Sequence, residues 1–242
     1  MTTITNKNVL VTGANRGIGH ALLEEALRRG VQQVYAGARE PFTHPDERVI
    51  PLVLDVTDAE QTQQAVRRVS TLDILVNNAG VALYDDLSDR AVLQHHLAVN
   101  LFGLYGVTQA LLPLLVRSRG VIVNNLAVAA LAPLPVIPAY SISKAAAFSL
   151  TQAQRMLLAG QGVTVHAVLT GPTDTDMTRG YDAPKASPES VARAIFDGVE
   201  KEEEDIFPDA MSQAIAAGWQ SSPAKALERA YTAIAAELHR SS

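Results

Sequence analysis

Cysteine is absent from the 242-residue chain, which excludes disulfide bonds and metal sites built from thiolates. Basic side chains are not concentrated anywhere, and the formal net charge of −5 argues against nucleic acid or an anionic membrane surface as a partner. The polar segment 1–8 lacks the apolar stretch of a signal peptide, and we recognise no uncharged apolar run of membrane-spanning length. We therefore expect a soluble, cytoplasmic protein without a metal centre, a nucleic-acid partner or a membrane partner.

What the chain does contain is a regular alternation of short apolar segments and amphipathic helical segments. Its composition, 48% hydrophobic and 19% charged, is ordinary for a soluble globular protein. Predicted strands cover 8–12, 34–38, 48–54, 72–76, 120–124, 163–169 and 205–207, and predicted helices cover 18–29, 58–70, 88–116, 139–158, 187–204 and 224–238. This alternation predicts an α/β fold of the Rossmann type, a doubly wound parallel sheet with helices on both faces, forming a single domain over residues 1–242.

A glycine-rich turn follows the first predicted strand, with the spacing Gly13-x-x-x-Gly17-x-Gly19. Glycines allow a tight turn and let the backbone approach a pyrophosphate at a helix N-terminus. A lone glycine turn is often no more than a connection between a strand and a helix. Its place after the first strand of a long β-α alternation favours a dinucleotide site.

The end of the second predicted strand bears on the choice of dinucleotide. A preference for NAD usually shows as an acidic residue there, hydrogen-bonded to the ribose 2′-hydroxyl. Here the sequence is Gly37-Ala38-Arg39, with no acid, and Arg16 lies inside the glycine turn. Two guanidinium groups suit a 2′-phosphate, so we predict NADP(H). The alternative is that both are solvated surface arginines.

Tyr140 and Lys144 lie four residues apart at the start of a predicted helix, so they share one face. A free phenol has a pKa of about 10, and a nearby ammonium favours the phenolate and is expected to lower that value. The pair predicts a general acid/base acting on a carbonyl or alcohol oxygen. Alone, the spacing is a weak signal, because an exposed tyrosine and lysine on a helix would look the same.

Taken together, the motifs resemble those of the short-chain dehydrogenase/reductase family, in its compact single-domain form, from Val9 to about Phe207. The motifs are Thr12-Gly13-x-x-x-Gly17-x-Gly19, Asp55-Val56, Asn77-Asn78-Ala79-Gly80, Val99-Asn100-Leu101, Tyr140-x-x-x-Lys144 and Gly171-Pro172-x-x-Thr175. The resemblance implies catalytic roles for Tyr140, Lys144 and Asn100, with Asn100 holding a water in a proton relay to Lys144. A helix kink or a local hydrogen bond is the alternative for Asn100. It also implies cofactor contacts from Gly13, Asn15, Arg16, Gly17, Ile18, Gly19, Arg39, Asp55, Val56, Asn78, Ala79, Gly80, Tyr140, Lys144, Gly171, Thr173 and Thr175.

One departure from the family pattern stands out. The family usually has a serine about thirteen residues before the tyrosine, where its hydroxyl donates to the substrate oxygen, but this chain has Ala127. Ala127 and Val128, with Tyr140, are the predicted substrate contacts. Four interpretations stay open: a weakened enzyme, an enzyme that positions its substrate differently, a disabled variant, or a reductase whose substrate needs only Tyr140. The sequence does not choose among these.

The expected function is reduction of an apolar ketone, aryl ketones included, by NADPH, or the reverse oxidation of an alcohol. A non-catalytic NADP-binding regulatory protein and a reductase of imines or activated alkenes are the alternatives. In this family, helices such as 88–116 and 139–158 commonly pair between subunits, which implies a homodimer or homotetramer. Among other side chains, His95 and His96 point in different directions and make a poor metal pair. Trp219 is expected to pack on a neighbouring subunit or on its own domain.

Overall fold

The computed structural model describes residues 3–240, so the two residues at each end of the predicted domain 1–242 lie outside the described part. Its strands are β1 Asn8–Thr12, β2 Gln33–Ala38, β3 Val49–Val53, β4 Ile74–Asn77, β5 Val121–Asn125, β6 Thr164–Val168 and β7 Asp205–Ile206. Its helices are α1 Gly17–Arg28, α2 Ala59–Arg68, α3 Arg90–Leu97, α4 Leu104–Ser118, α5 Pro138–Leu158, α6 Pro188–Glu200, α7 Ala210–Gln220 and α8 Pro223–Arg240.

The strands form one parallel sheet in the order β3-β2-β1-β4-β5-β6-β7. The order reverses direction between β1 and β4, which is the switch point of a doubly wound sheet. A crevice for a ligand opens there, outside the carboxyl ends of the strands. The predicted Rossmann-type fold is confirmed.

Apolar side chains cover both faces of the sheet, which explains why the strands read as short continuous apolar runs. Along β1, Val9 and Val11 belong to the core layer that also contains residues of α1 and α6. Leu10, between them, belongs to the opposite layer with residues of α2 and α4. Because successive side chains of a strand point to opposite faces, all three are buried.

The predicted helix 88–116 is not continuous α-helix. Between α3 and α4, the six residues Ala98–Gly103 form a wider π-helical turn that contains Asn100. Gly103 is needed in this turn, because a Cβ atom there would lie 2.6 Å from a methyl carbon of Val56. Turns of this kind inside α-helices occur frequently at functional sites.

Our expectation about membrane-spanning runs was wrong for this same stretch. Residues 91–116 contain no charged side chain, and the helical stretch Arg90–Ser118, which is 29 residues long and includes an 18-residue window with a mean hydropathy of 1.6, has the length and composition to cross a membrane. A core helix of a soluble protein passes the same test. In this fold, one face of α4 packs in the core through Val107, Leu111 and Leu115.

The sequence did not predict α7, and it placed the end of the preceding helix four residues too late. Helix α6 ends at Glu200, and α7 begins at a capping box in which Asp209 and Ser212 exchange side-chain to backbone hydrogen bonds. The side chain of Asp209 also accepts a hydrogen bond from the Gly171 N–H at 2.7 Å. Helix α7 is therefore attached to the loop that follows β6.

A buried cluster of charged side chains attaches α8 to the sheet and to α5. Asp205 of β7 lies 2.9 Å from the Arg155 guanidinium and 2.7 Å from the Lys225 ammonium. Glu228 pairs with both Arg155 and Lys225. Trp219 donates its indole N–H to Asp205 at 2.8 Å, so it packs on its own domain, which was one of the two alternatives.

Candidate active site

The glycine-rich turn between β1 and α1 has no room for larger side chains. Gly13 and Gly17 have φ values of +67° and +53°, in the left-handed region that favours glycine. A Cβ atom on Gly19 would lie 2.0 Å from the Gly13 carbonyl oxygen and 2.6 Å from the amide nitrogen of Asn78. The backbone at the start of α1 is therefore unobstructed by side chains of its own turn, which suits close approach of a phosphate.

A chain of hydrogen bonds joins the carboxyl ends of β1, β4, β5 and β6. The Thr12 hydroxyl accepts from the backbone N–H groups of Asn78 and Ala79, both at 3.0 Å. The Asn78 side chain in turn accepts from the Asn125 amide at 2.9 Å, and the Thr170 hydroxyl donates to Asn125 at 2.8 Å. This chain places 78–80, predicted to line the cofactor, between the glycine turn and the tyrosine helix.

Sequence reasoning gave no function to Asn125 or Thr170. Both are buried polar residues at the ends of apolar strands. Polar side chains rarely occupy such positions without hydrogen-bond partners, and that rule is the signal that could have identified them.

Lys144 is buried and anchored next to Tyr140. It is 5% exposed, and its Nζ donates to the Asn125 carbonyl oxygen at 3.0 Å. The same Nζ lies 5.7 Å from the centre of the Tyr140 ring. A Cβ atom on Gly80 would lie 3.6 Å from Nζ and 3.2 Å from the Asn100 amide oxygen, so the lysine ammonium lies next to this glycine. The structure thus brings the predicted pair together at the strand ends.

The direction of the Tyr140 pKa differs from the sequence-based expectation. Burial raises the pKa of the phenol, and burial lowers the pKa of Lys144 to about 8. Removal of water disfavours the phenolate and the ammonium alike. Burial is the cause of the Tyr140 shift, so the expected lowering was wrong, and the phenol is protonated at neutral pH.

Asn100 makes direct contacts with the protein rather than only with water. Its amide oxygen accepts from the Val81 N–H at 2.9 Å, and its amide nitrogen donates to the Val81 carbonyl and the Ser143 hydroxyl, both at 2.9 Å. The Ser143 hydroxyl donates to the Tyr140 carbonyl at 2.7 Å. Asn100 therefore links the segment after β4 to the helical turn of Tyr140 through long-range hydrogen bonds, and the π turn in which it lies corresponds to the helix-kink alternative. A water relay through Asn100 stays a prediction.

The two arginines predicted to select the cofactor lie on the surface. Arg16 is 62% exposed and lies 3.9 Å from the Asp176 carboxylate, and Arg39 follows β2 and is exposed. Arg39 also acts on Asp55. Burial by itself would raise the pKa of Asp55, but hydrogen bonds from Thr57 and the positive charge of Arg39 outweigh burial and hold the pKa below its usual value.

The loop after β6 closes against the glycine turn. Thr173 is buried, and a Cβ atom on Gly17 would lie 3.2 Å from the methyl carbon of Thr175. The Thr175 side chain begins a short helical turn, Asp176–Thr178, as part of a capping box. The predicted cofactor contacts at 171–175 therefore lie next to those at 13–19.

Ala127 lies just beyond β5 in an extended conformation, with φ −161° and ψ 160°, and is 7% exposed. The chain there still pairs with the extension of β6, since the N–H of Val128 donates to the Thr170 carbonyl at 3.0 Å. Two serines follow the tyrosine, but the hydroxyl of Ser141 donates to the Ile137 carbonyl and that of Ser143 to the Tyr140 carbonyl. They are therefore occupied with the backbone at the start of α5.

Comparison with known proteins agrees with this geometry. A family model described as short chain dehydrogenase matches residues 7–186. Estradiol 17-beta-dehydrogenase 2 of Mus musculus is 34% identical over 221 residues, which cover 84% of this chain but only 55% of that protein, so the chain spans about half of its length. The 2,3-dihydro-2,3-dihydroxybenzoate dehydrogenase of Escherichia coli (strain K12) is 37% identical over 183 residues, 72% of this chain and 73% of the relative.

A solved structure is similar over nearly the whole chain. It is a short chain dehydrogenase from Burkholderia cenocepacia J2315 in complex with NADP, 35% identical, with a TM-score of 0.85 over 91% of this chain and 95% of the other. The fold and site define a dinucleotide-binding oxidoreductase domain. The chain belongs to the short-chain dehydrogenase family.

Proposed function

We propose that the protein is an NADPH-dependent oxidoreductase that reduces an apolar ketone, aryl ketones included, to the alcohol, or runs the reverse reaction. The observation that carries this proposal is the placement of Tyr140 beside the buried Lys144, at the strand ends that also carry the glycine turn. A proton donor is thus placed where a dinucleotide-binding sheet receives its ligand.

In this proposal the chain's own residues hold the dinucleotide at three places. The glycine turn at 13–19 receives the pyrophosphate at the N-terminus of α1. Arg16 and Arg39 face the adenosine ribose phosphate, with Asp55 and 78–80 alongside. The loop at 171–175 covers the side next to the glycine turn, which its contact with Gly17 supports.

The nicotinamide, when bound, supplies the hydride for the carbonyl carbon, and the protein supplies position and a proton. Tyr140 donates that proton to the carbonyl oxygen as negative charge develops there. Burial raises the pKa of Tyr140, so the phenol carries its proton at neutral pH. Lys144, with a pKa of about 8, is largely an ammonium at pH 7 and stabilises the phenolate that donation leaves.

The apolar substrate is proposed from the side chains around the tyrosine. Segment 126–139 contains no charged residue and no hydroxyl. Val136 of this segment is 51% exposed, and on the loop after β4 Leu83 and Tyr84 are 42% and 71% exposed. Burial of apolar ligand surface contributes roughly 25 cal/mol per Å², whereas a sugar or a carboxylate gains little from such residues.

The test of this function is steady-state NADPH oxidation over a panel of aryl, alkyl and polar ketones, with imines and activated alkenes included. Preferential turnover of apolar ketones supports the proposal. Turnover of only imines or alkenes would support instead the alternative of an imine or alkene reductase with the same fold. NADPH binding in calorimetry with no turnover on any acceptor supports instead a non-catalytic NADP-binding regulator, the alternative that Ala127 motivates.

Cofactor preference is expected to follow the two arginines. The double variant Ala38→Asp with Arg39→Leu should shift preference towards NADH, because it adds a carboxylate suited to a ribose 2′-hydroxyl and removes a guanidinium suited to a 2′-phosphate. Loss of a charged hydrogen-bond partner typically costs about 1.5–3 kcal/mol, or about 10- to 150-fold in affinity. Calorimetric titration with NADPH and NADH measures the change. Equal or tighter NADH binding by the unmodified protein would contradict the proposed preference.

A homodimer or homotetramer is proposed from the outer faces of α4 and α5. Phe102 and Tyr105 are 63% and 46% exposed at and just after the π turn, and Ile142 and Leu157 of α5 are 40% and 58% exposed. Large exposed apolar side chains on these helices support association between subunits, which would bury them. We expect light scattering at micromolar concentration to report a multimer, and Phe102→Glu with Tyr105→Glu to dissociate it. A monomeric wild-type protein would refute the assembly.

A further inference from the structure

The ring of His96 packs against the ring of Tyr140. The two ring centroids are 6.3 Å apart at an interplanar angle of 72°, an edge-to-face arrangement. His96 is fully buried and is the one buried residue of α3, whereas the adjacent His95 is exposed. A buried imidazole at this place contacts the proposed proton donor directly.

Both ring nitrogens of His96 have partners that define their protonation. Nε2 lies 3.0 Å from the backbone nitrogen of Leu83, which can only donate, so Nε2 accepts and carries no proton. Nδ1 lies 2.8 Å from the carbonyl oxygen of Val92, which can only accept, so Nδ1 carries the proton. The hydrogen-bond network thus assigns a neutral imidazole in one tautomer and one orientation.

Asp85 joins the same loop to the start of the tyrosine helix. Its carboxylate oxygens accept from the Ala139 N–H at 3.3 and 3.2 Å, and its own N–H donates to the Val136 carbonyl at 3.2 Å. The residue before α5 is Ile137, which has no side-chain cap to offer. Asp85 therefore supplies the negative charge that a helix N-terminus favours. The loop at 81–87 and the first turn of α5 are held together.

We propose that His96 is a positioning residue for Tyr140: its ring, oriented by the hydrogen bonds to Leu83 and Val92, fixes the phenol for proton transfer. The proposal rests on the proposed function, because the position of the phenol matters to rate only if Tyr140 transfers a proton. A reacting group misplaced by about 1 Å can cost on the order of 100-fold in rate.

The imidazole has a second effect on the phenol, because it keeps water away from that side of the ring. Burial raises the pKa of Tyr140. Three titratable groups lie near Tyr140. His96 and Lys144 lie next to its ring, and Asp85 accepts a hydrogen bond from the N–H of the preceding residue, Ala139. Replacement of the ring by a smaller polar side chain lets water reach the phenol and moves its pKa back towards the usual value.

Two substitutions separate contact with Tyr140 from support of the loop. His96→Gln keeps an acceptor for the Leu83 N–H but removes the ring, and His96→Phe keeps a ring but removes the acceptor. We expect His96→Gln to lower kcat on the best ketone by about 10- to 100-fold, with KM, the NADPH dissociation constant and the melting temperature close to wild type. His96→Phe should retain more of the rate. The opposite order, with full kcat in His96→Gln and loss in His96→Phe, would overturn the proposal.

A measurement that needs no substrate keeps this test separate from the proposed function. The protein is labelled with 3-fluorotyrosine, whose lower intrinsic pKa brings the phenol into an accessible pH range, and the Tyr140 signal is assigned by its loss in Tyr140→Phe. In ¹⁹F NMR, the Tyr140 signal of the His96→Gln variant should titrate at lower pH than that of wild type. In the exposed-site control His95→Gln, the Tyr140 signal should titrate as in wild type. An unchanged titration in His96→Gln would contradict the contact. If wild-type protein reduces no ketone, the proposed function fails, and the titration still decides whether His96 shields Tyr140.

Discussion

Tyr140→Phe is expected to lower turnover by about 100- to 10,000-fold, the range that a general acid contributes, while NADPH affinity stays close to wild type. The hydroxyls of Ser141 and Ser143, the nearest in sequence, both donate to backbone carbonyls and do not replace the phenol. The phenylalanine ring keeps the edge-to-face contact with His96, so the fold of the site is retained. The measurement is kcat on the best ketone with the NADPH dissociation constant from calorimetry.

Two further variants are compared with Tyr140→Phe. Tyr231→Phe removes an exposed phenol on α8 and should leave turnover unchanged. Lys144→Ala should impair both turnover and NADPH binding, since it removes a buried ammonium held by Asn125 beside the phenol. Turnover retained in Tyr140→Phe would show that the proton comes from another group and would remove the central residue from the mechanism.

Ala127→Ser is the second change with a large expected effect, in this case a gain. A donor aimed at developing negative charge typically contributes about 10²–10³ in turnover, and a serine here would place a second donor in the site beside Tyr140. The extended backbone at Ala127, φ −161° and ψ 160°, just before a short helical turn, is a conformation that serine adopts readily. We expect kcat to rise by at least about 10-fold, mainly without a change in KM, because the added bond strengthens in the transition state.

The control for Ala127→Ser is a serine placed elsewhere in the same segment. Ala130→Ser adds a hydroxyl three residues later, at the end of the same short turn, and should leave kcat near wild type. Both proteins are assayed on one aryl ketone at saturating NADPH. If Ala127→Ser is no faster than wild type, the alanine is an adapted part of the site, and its description as a missing donor is wrong.

Strand positions and the order of elements followed from the sequence because a parallel sheet buries both faces of its strands. Val9, Leu10 and Val11 are apolar for that reason, and the polar residues that follow each strand mark the ligand edge. The glycine turn was also recognisable from the sequence, because its glycine spacing reflects close contacts that a larger side chain at Gly19 would prevent. These features depend on local geometry, which a single sequence displays.

The parts that the sequence did not predict depend on contacts between distant segments. The Asn100 amide in the π turn bonds to the backbone of Val81, nineteen residues earlier, and no local sequence pattern around Asn100 predicts this contact. The predicted direction of the Tyr140 pKa shift was wrong, because the spacing of the two residues shows that a lysine is near but not how much water is excluded from the phenol. From the sequence, His96 was considered only as half of an unsuitable metal pair. Its burial and its two hydrogen-bond partners are visible only in the structure.

The charged cluster beneath α8 has a practical consequence for anyone who shortens or fuses this chain. Arg155, Asp205, Lys225 and Glu228 have side chains that are 10%, 0%, 0% and 5% exposed. Deletion of the chain from residue 223 onward would remove Lys225 and Glu228, so that Asp205 and Arg155 would each lose one of these opposite charges and, of the four, keep only each other. Salt weakens exposed pairs but reaches buried ones much less. The last helix is therefore joined to β7 and α5 by buried ion pairs, which high ionic strength weakens little and which a truncation before residue 223 would break.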